Sequence, residues 1–140
     1  MFAQMLAGNV PLAFNCSAGK DRTGIAAALI LTALGVPRAT VIADYAATYR
    51  YLDTAKLMSL AKAPANMAVK SGDKIASPGA MMRDMSAGAM RAILAADPRY
   101  IKAALAVLDQ HRNGAAGYLS DELGVSQADV ANLRRMYLER

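Results

Sequence analysis

With 140 residues, 55% of them apolar, the chain can bury one modest core, and this balance excludes bulk disorder. A lone cysteine excludes an internal disulfide, and with no basic start before an apolar stretch we expect a reducing, cytoplasmic compartment or secretion without a visible signal. The net charge of +5 and isoelectric point near 9.6 favour an anionic partner, whether a phosphorylated substrate, an acidic lipid surface or nucleic acid.

Taken in chain order, Asn9 to Phe14 (NVPLAF) is a short apolar segment after Gly8 and reads as a buried strand, with Pro11 tolerated only near its start. The polar turn from Cys16 to Arg22 follows. From about Arg22 the pattern is helical and stops at Gly35, a C-terminal cap with Pro37 beyond it. Its apolar run from Ile25 to Val36 is too short to span a bilayer. A second helix is expected from Pro37 to about Asp53. The basic segment 54–92 holds six of the nine methionines, with helices expected near Ala55 to Ala63 and Gly79 to Ala95. Asp97 as N-cap and Pro98 at the first helical position start a helix that continues toward Arg112. Residues 117–140 read as two short helices around Gly124, the second opening on Ser126 and Asp129 at capping-box spacing. Abundant alanine and the lack of tryptophan favour helices packed through small side chains over a broad sheet.

The turn FNCSAGKDRTG (Phe14 to Gly24) carries the chemistry. Between a strand and a helix, its backbone N–H groups can converge on one point that the helix N-terminus also faces, a nest for a phosphate dianion. Gly19 permits the turn, and Arg22 offers a planar fork matched to two phosphate oxygens. The same positive field lowers the pKa of Cys16, whose thiolate is then placed for in-line attack on phosphorus. A Walker A loop is excluded, because Phe14 and Asp21 stand where it needs glycine and Ser/Thr. A CxxC redox or zinc site lacks its second cysteine. A buried, inert cysteine remains the plainest alternative.

The stretch CSAGKDRTG resembles the signature loop of the cysteine-based protein tyrosine phosphatases. Within them it is similar to the bacterial tyrosine or dual-specificity branch reading HCxAGKDRTG, some members of which also act on phosphoinositides. The likeness continues from Gly24 to Leu52 and returns from Tyr100 to Arg135. It implies an α/β, protein tyrosine phosphatase-like fold, of which residues 1–140 are the C-terminal part: mostly helical, with one short buried strand leading into the loop. By the same resemblance Cys16 is the nucleophile that forms a phosphocysteine. Ser17, Ala18, Gly19, Lys20, Asp21 and Arg22 bind the phosphoryl group, with Lys20 as a rim cation for multiply phosphorylated substrates. Thr23 stabilises the leaving thiolate. Asp21 is a candidate general acid, against an aspartate on an upstream loop in most of the superfamily or a plain first-turn acid. No cofactor or metal is implied. The partners implied are a phosphorylated protein or phosphoinositide, with membrane-surface contact in the latter case and no nucleic acid.

Two departures from that pattern carry expectations of their own. Asn15 replaces the family's histidine and offers no cationic state, so Cys16 should be less acidic than in the relatives and turnover weaker. Only fifteen residues precede Cys16, so the strand needs a partner from a missing segment or a second copy. A rival class is helix-turn-helix DNA binding through Leu119 to Arg135, with Gln127, Asn132, Arg134 and Arg135 as readers. Met81, Met82, Met85 and Met90, with Arg83 and Arg91, read as an amphipathic helix covering a pocket or, alternatively, as a lipid-facing lid. His111 reads as a helix C-terminal cation, and Tyr45, Tyr49 and Tyr51 as core or rim contacts.

Overall fold

A computed structural model describes residues 1–16, 19–51 and 85–138. Among them the chain forms α1 (Phe2–Leu6), α2 (Asp21–Leu34), α3 (Arg38–Tyr51), α4 (Ala87–Leu94), α5 (Pro98–Gln110), α6 (Gly114–Asp121) and α7 (Gln127–Tyr137). The chain divides into one unit of Met1–Thr48 with Ala96–Arg140 and another of Tyr49–Ala95. No helix among the described residues is long and apolar enough to cross a membrane.

Local chemistry sets most helix ends. Gly35 takes the left-handed conformation at φ 87° and closes α2, while the Val36 N–H donates back to the Leu31 carbonyl. Asp97 caps α5 by accepting from the Arg99 N–H at 2.8 Å, with Pro98 at the first helical position. Ser126 and Asp129 form a reciprocal capping box at the start of α7, so aspartate serves there as well as the longer glutamate. Pro37 lies just outside α3, its carbonyl accepting from the N–H groups of Thr40 and Val41.

The first unit is built around α2, which contributes to two apolar clusters. Ala28 packs with Val41 and Tyr45 of α3 and with Ile101, Leu105 and Leu108 of α5. Ala33 packs with Phe2 and Met5 of α1, Leu119 of α6 and Leu133 of α7. Both alanines are almost fully buried, so helices approach closely there through small side chains. The spacing of Ile101, Leu105 and Leu108, and of Val130, Leu133 and Tyr137, turns one stripe of each helix inward. Helix α1 was not expected from the sequence. Phe2 and Met5 share its buried face, and the Tyr137 hydroxyl ties it down by donating to the Met5 carbonyl at 2.6 Å.

The strand expected at Asn9 to Phe14 is not formed, and the described residues hold no strand. The segment bends at Pro11, finds no ladder partner among the described residues, and leaves Val10 47% exposed rather than buried. The α/β expectation therefore meets an all-helical set of described residues. In the second unit, α4 lies within the helix expected from Gly79 to Ala95, whose first residues, 79–84, are outside what is described, and the Ser86 hydroxyl accepts from the Ala89 N–H. The helix expected at 55–63, Met81, Met82, Arg83 and the side chains of Met90 and Arg91 lie outside what is described, as do Ser17 and Ala18 of the turn.

Candidate active site

The chain enters the site without regular secondary structure, with Leu12, Phe14 and Cys16 half-buried and Pro11, Ala13 and Asn15 exposed. At Gly19 it turns back through a positive φ of 63°, and the Gly19 N–H donates to the Cys16 carbonyl at 3.0 Å. Two residues later α2 begins. Asp21, Arg22 and Thr23 are therefore first-turn residues of a fourteen-residue helix whose N-terminal end faces the turn.

A side-chain hydrogen bond ties the turn to the helix. The Cys16 backbone N–H donates to the Thr23 hydroxyl oxygen at 2.8 Å. A hydroxyl that accepts in this way still carries a proton that it can donate. Arg22 is exposed on the same helical turn. Cys16 is half-buried and not disulfide-bonded. The Asn15 side-chain amide donates to the Cys16 carbonyl at 3.2 Å, so Asn15 supports the backbone of the turn.

Lys20 departs from the rim position expected of it. It is 5% exposed, its Nζ lies 3.5 Å from Asp21 Oδ1, and it sits 5.9 Å from the centre of the Tyr100 ring. A carboxylate on one side and an aromatic face on the other draw the ammonium inward. Asp21 is anchored in turn. The Tyr45 hydroxyl, from α3, donates to Asp21 Oδ1 at 2.8 Å. Burial pushes the Tyr45 phenol well above its ordinary pKa, and its hydrogen bond to the Asp21 carboxylate pushes it further. It remains a protonated donor throughout the physiological range.

Neither tyrosine's place in the site was legible beforehand. The sequence alone sets Tyr45 beside Tyr49 and Tyr51 as core or rim contacts and offers no local sign for Tyr100. The four-residue spacing of Val41 and Tyr45, both buried, would have marked Tyr45 as inward-facing. Tyr49 and Tyr51 are exposed. His111 is the C-cap of α5, where its ring packs edge-on to Tyr118 and its Nε2 lies 3.6 Å from Glu122. On α7, Arg134 Nε donates to the Ala33 carbonyl at 2.8 Å and Arg135 donates to Asn132, so these three side chains are engaged within the fold.

Comparison with known proteins decides the family. A family model described as the tyrosine phosphatase family matches residues 1–139. The chain belongs to the tyrosine phosphatase family. It is 36% identical to a tyrosine-protein phosphatase of Nostoc commune over 121 residues, which is 86% of this chain and 37% of that protein. It is 32% identical to the triple specificity protein phosphatase PtpB of Mycobacterium tuberculosis over 134 residues, 96% of this chain and 46% of that one. A tyrosine-protein phosphatase sequence from Cupriavidus necator is likewise 32% identical, over 98% of this chain and 43% of its own length. The chain thus spans less than half the length of these relatives. No solved structure matches it.

Proposed function

We propose that this chain carries the reaction centre of a cysteine-dependent phosphatase that hydrolyses phosphomonoesters, phosphotyrosine foremost, through a phosphocysteine. The observation that carries this reading is the hydrogen bond from the Cys16 amide to Thr23, which folds the nucleophile against the first turn of α2. In the reaction, the Cys16 thiolate attacks phosphorus as the ester P–O bond breaks. The departing alkoxide or phenoxide takes a proton from an acid, for which Asp21 is the candidate on this chain. The Arg22 guanidinium and the loop amides hold the equatorial oxygens as charge builds on them. Water then attacks the phosphocysteine and gives its proton to the base form of that acid, the P–S bond breaks, and the Thr23 hydroxyl donates a hydrogen bond to the returning thiolate.

The name of the mycobacterial relative supports testing phosphoserine, phosphothreonine and phosphoinositide substrates beside phosphotyrosine. Phosphoinositide turnover would require contact with a membrane surface. The alternating exposure of Leu12 to Cys16 supports pairing of this segment with a strand from a longer chain or a second copy. An open apolar groove of about 530 Å³, lined by Leu12, Phe14, Ile30 and Tyr137 among others, lies alongside it.

The test is turnover of p-nitrophenyl phosphate by the full chain, with Cys16→Ser and Arg22→Ala as controls. Release of nitrophenol that both substitutions abolish is the expected result. Because Cys16 is the only cysteine, iodoacetamide labelling followed by mass spectrometry reports on it alone. Asn15, which supplies no cationic group beside the thiol, favours a second reading as a phosphate-binding module without efficient turnover. Phosphate protection of Cys16 with no nitrophenol release would select that module.

A further inference from the structure

Asp21 poses an electrostatic problem for the loop. A carboxylate in the first turn of a helix is attracted to the positive N-terminal end of that helix, the same place a phosphate dianion would occupy. Left to itself, such a side chain folds back over the N-terminus and competes with the anion for it. In this structure it does not. The N-cap residue, Lys20, makes no side-chain cap hydrogen bond, and the Asp21 carboxylate is held by a phenol from another helix. That phenol is firmly placed. Tyr45 is 3% exposed, and the Cδ2–Cε2 edge of its ring lies against Gly24, where there is no room for even a Cβ.

We infer that Tyr45 is a positioning residue for the phosphate-binding turn: by tethering Asp21 it keeps that carboxylate from occupying the anion site of its own helix. The inference rests on the reading of this turn as an oxyanion site and adds to it a residue that never touches the anion. The tether also gathers charge. The oxygen that accepts from Tyr45 is the one 3.5 Å from Lys20 Nζ, so the carboxylate is partly neutralised where it is anchored. The Tyr100 ring, 5.9 Å from the same ammonium, backs that arrangement.

Removing only the hydroxyl, in Tyr45→Phe, leaves the ring against Gly24 and takes away the carboxylate's phenol tether, with the Lys20 ion pair as its remaining hold. The probe is inorganic phosphate, and the readout is the phosphate concentration that half-protects Cys16 of the full chain from iodoacetamide. Loss of a hydrogen bond to a charged group should raise that concentration about tenfold in Tyr45→Phe. If Tyr45 acts through Asp21, the defect disappears once the carboxylate is gone. Asp21→Ala and the double variant Tyr45→Phe/Asp21→Ala should then be half-protected at the same concentration, within a factor of about two. Thermal unfolding of each variant separates this from a purely structural role, which would lower the melting temperature without moving the phosphate midpoint. An unchanged midpoint in Tyr45→Phe, or an equal loss in the Asp21→Ala background, overturns the tether while leaving the oxyanion site intact. A wild-type chain that phosphate never protects overturns both.

Discussion

Gly24→Ala sets two physical effects against each other. Gly24 lies within α2, where replacing glycine by alanine ordinarily stabilises a helix by about 0.5–1 kcal/mol. Here the added Cβ would lie 2.7 Å from Tyr45 Cε2 and closer still to Cδ2. The ring cannot yield into solvent, because it is 3% exposed and packed among Val41, Ile101 and Leu105. Forcing a methyl group into such a contact costs about 1–3 kcal/mol. Rotating the ring away also strains the 2.8 Å bond to Asp21, and a hydrogen bond to a charged group is worth about 1.5–3 kcal/mol. The steric and hydrogen-bond costs exceed the propensity gain, leaving a net loss of about 2–4 kcal/mol. Urea unfolding followed by circular dichroism measures it. Gly88→Ala in α4 is the control, since a Cβ there meets only the Ser86 hydroxyl at 3.9 Å, and it should be neutral or slightly stabilising. If Gly24→Ala proves as stable as the wild type, the ring does not hold α2 as argued, and the link between Tyr45 and the turn weakens with it.

Two further outcomes follow from the packing and the caps. Leu133 has no exposed surface and sits among Phe2, Met5, Ala33 and Leu119, so Leu133→Ala should destabilise the chain by about 2–5 kcal/mol, read from the same urea titration. The pH dependence of stability should show an acid limb from the capping aspartates. The Arg99 side chain holds the Asp97 carboxyl below the usual carboxylate range, and the Ser126 hydroxyl does the same for Asp129. Because the folded state lowers these pKa values, the caps stabilise fully above about pH 4, where the unfolded carboxylates are ionised, and lose that contribution as pH falls through the lower folded values. Melting temperatures between pH 7 and 3 should therefore drop on the acid side, and Ser126→Ala should flatten part of the drop.

What was legible in the sequence was local. Cys16, Gly19 and Thr23 lie within eight residues, and a single turn plus a helix start brings their backbone and hydroxyl groups into hydrogen bonds. Gly35, Asp97 with Pro98, and Ser126 with Asp129 act on backbone groups two to five residues away, so the helix ends they set could be read directly. The parts that escaped depend on distant neighbours. An apolar run from Asn9 to Phe14 has the composition of a strand, but a ladder needs a second segment, and none of the described residues supplies one. Lys20 looks like a rim cation until Tyr100 and Asp21 are seen to flank it. Tyr45 lies 24 residues from Asp21, and their meeting depends on how α3 crosses α2. Helix α1 is five residues long with no side-chain cap, so its only advance sign was the three-residue spacing of Phe2 and Met5.

These distant contacts place the turn under the control of α2 as a whole. Near its N-terminal end, Tyr45 presses on Gly24 and holds Asp21. At its C-terminal end, Arg134 of α7 donates to the Ala33 carbonyl and lies against Gly35, 3.4 Å from where a Cβ would stand. Between them, Ala28 faces one apolar cluster and Ala33 the other, while Leu29 packs against both. A helix gripped at both ends and along two faces has little freedom to rotate or slide, because well-packed interiors resist continuous deformation. Its first turn carries Arg22 and Thr23, so their positions relative to Cys16 follow from the register of α2 and not from the turn alone. Perturbations at Arg134 or Leu133, far from the thiol in the chain, should therefore alter the reactivity of Cys16 to the extent that they let α2 shift.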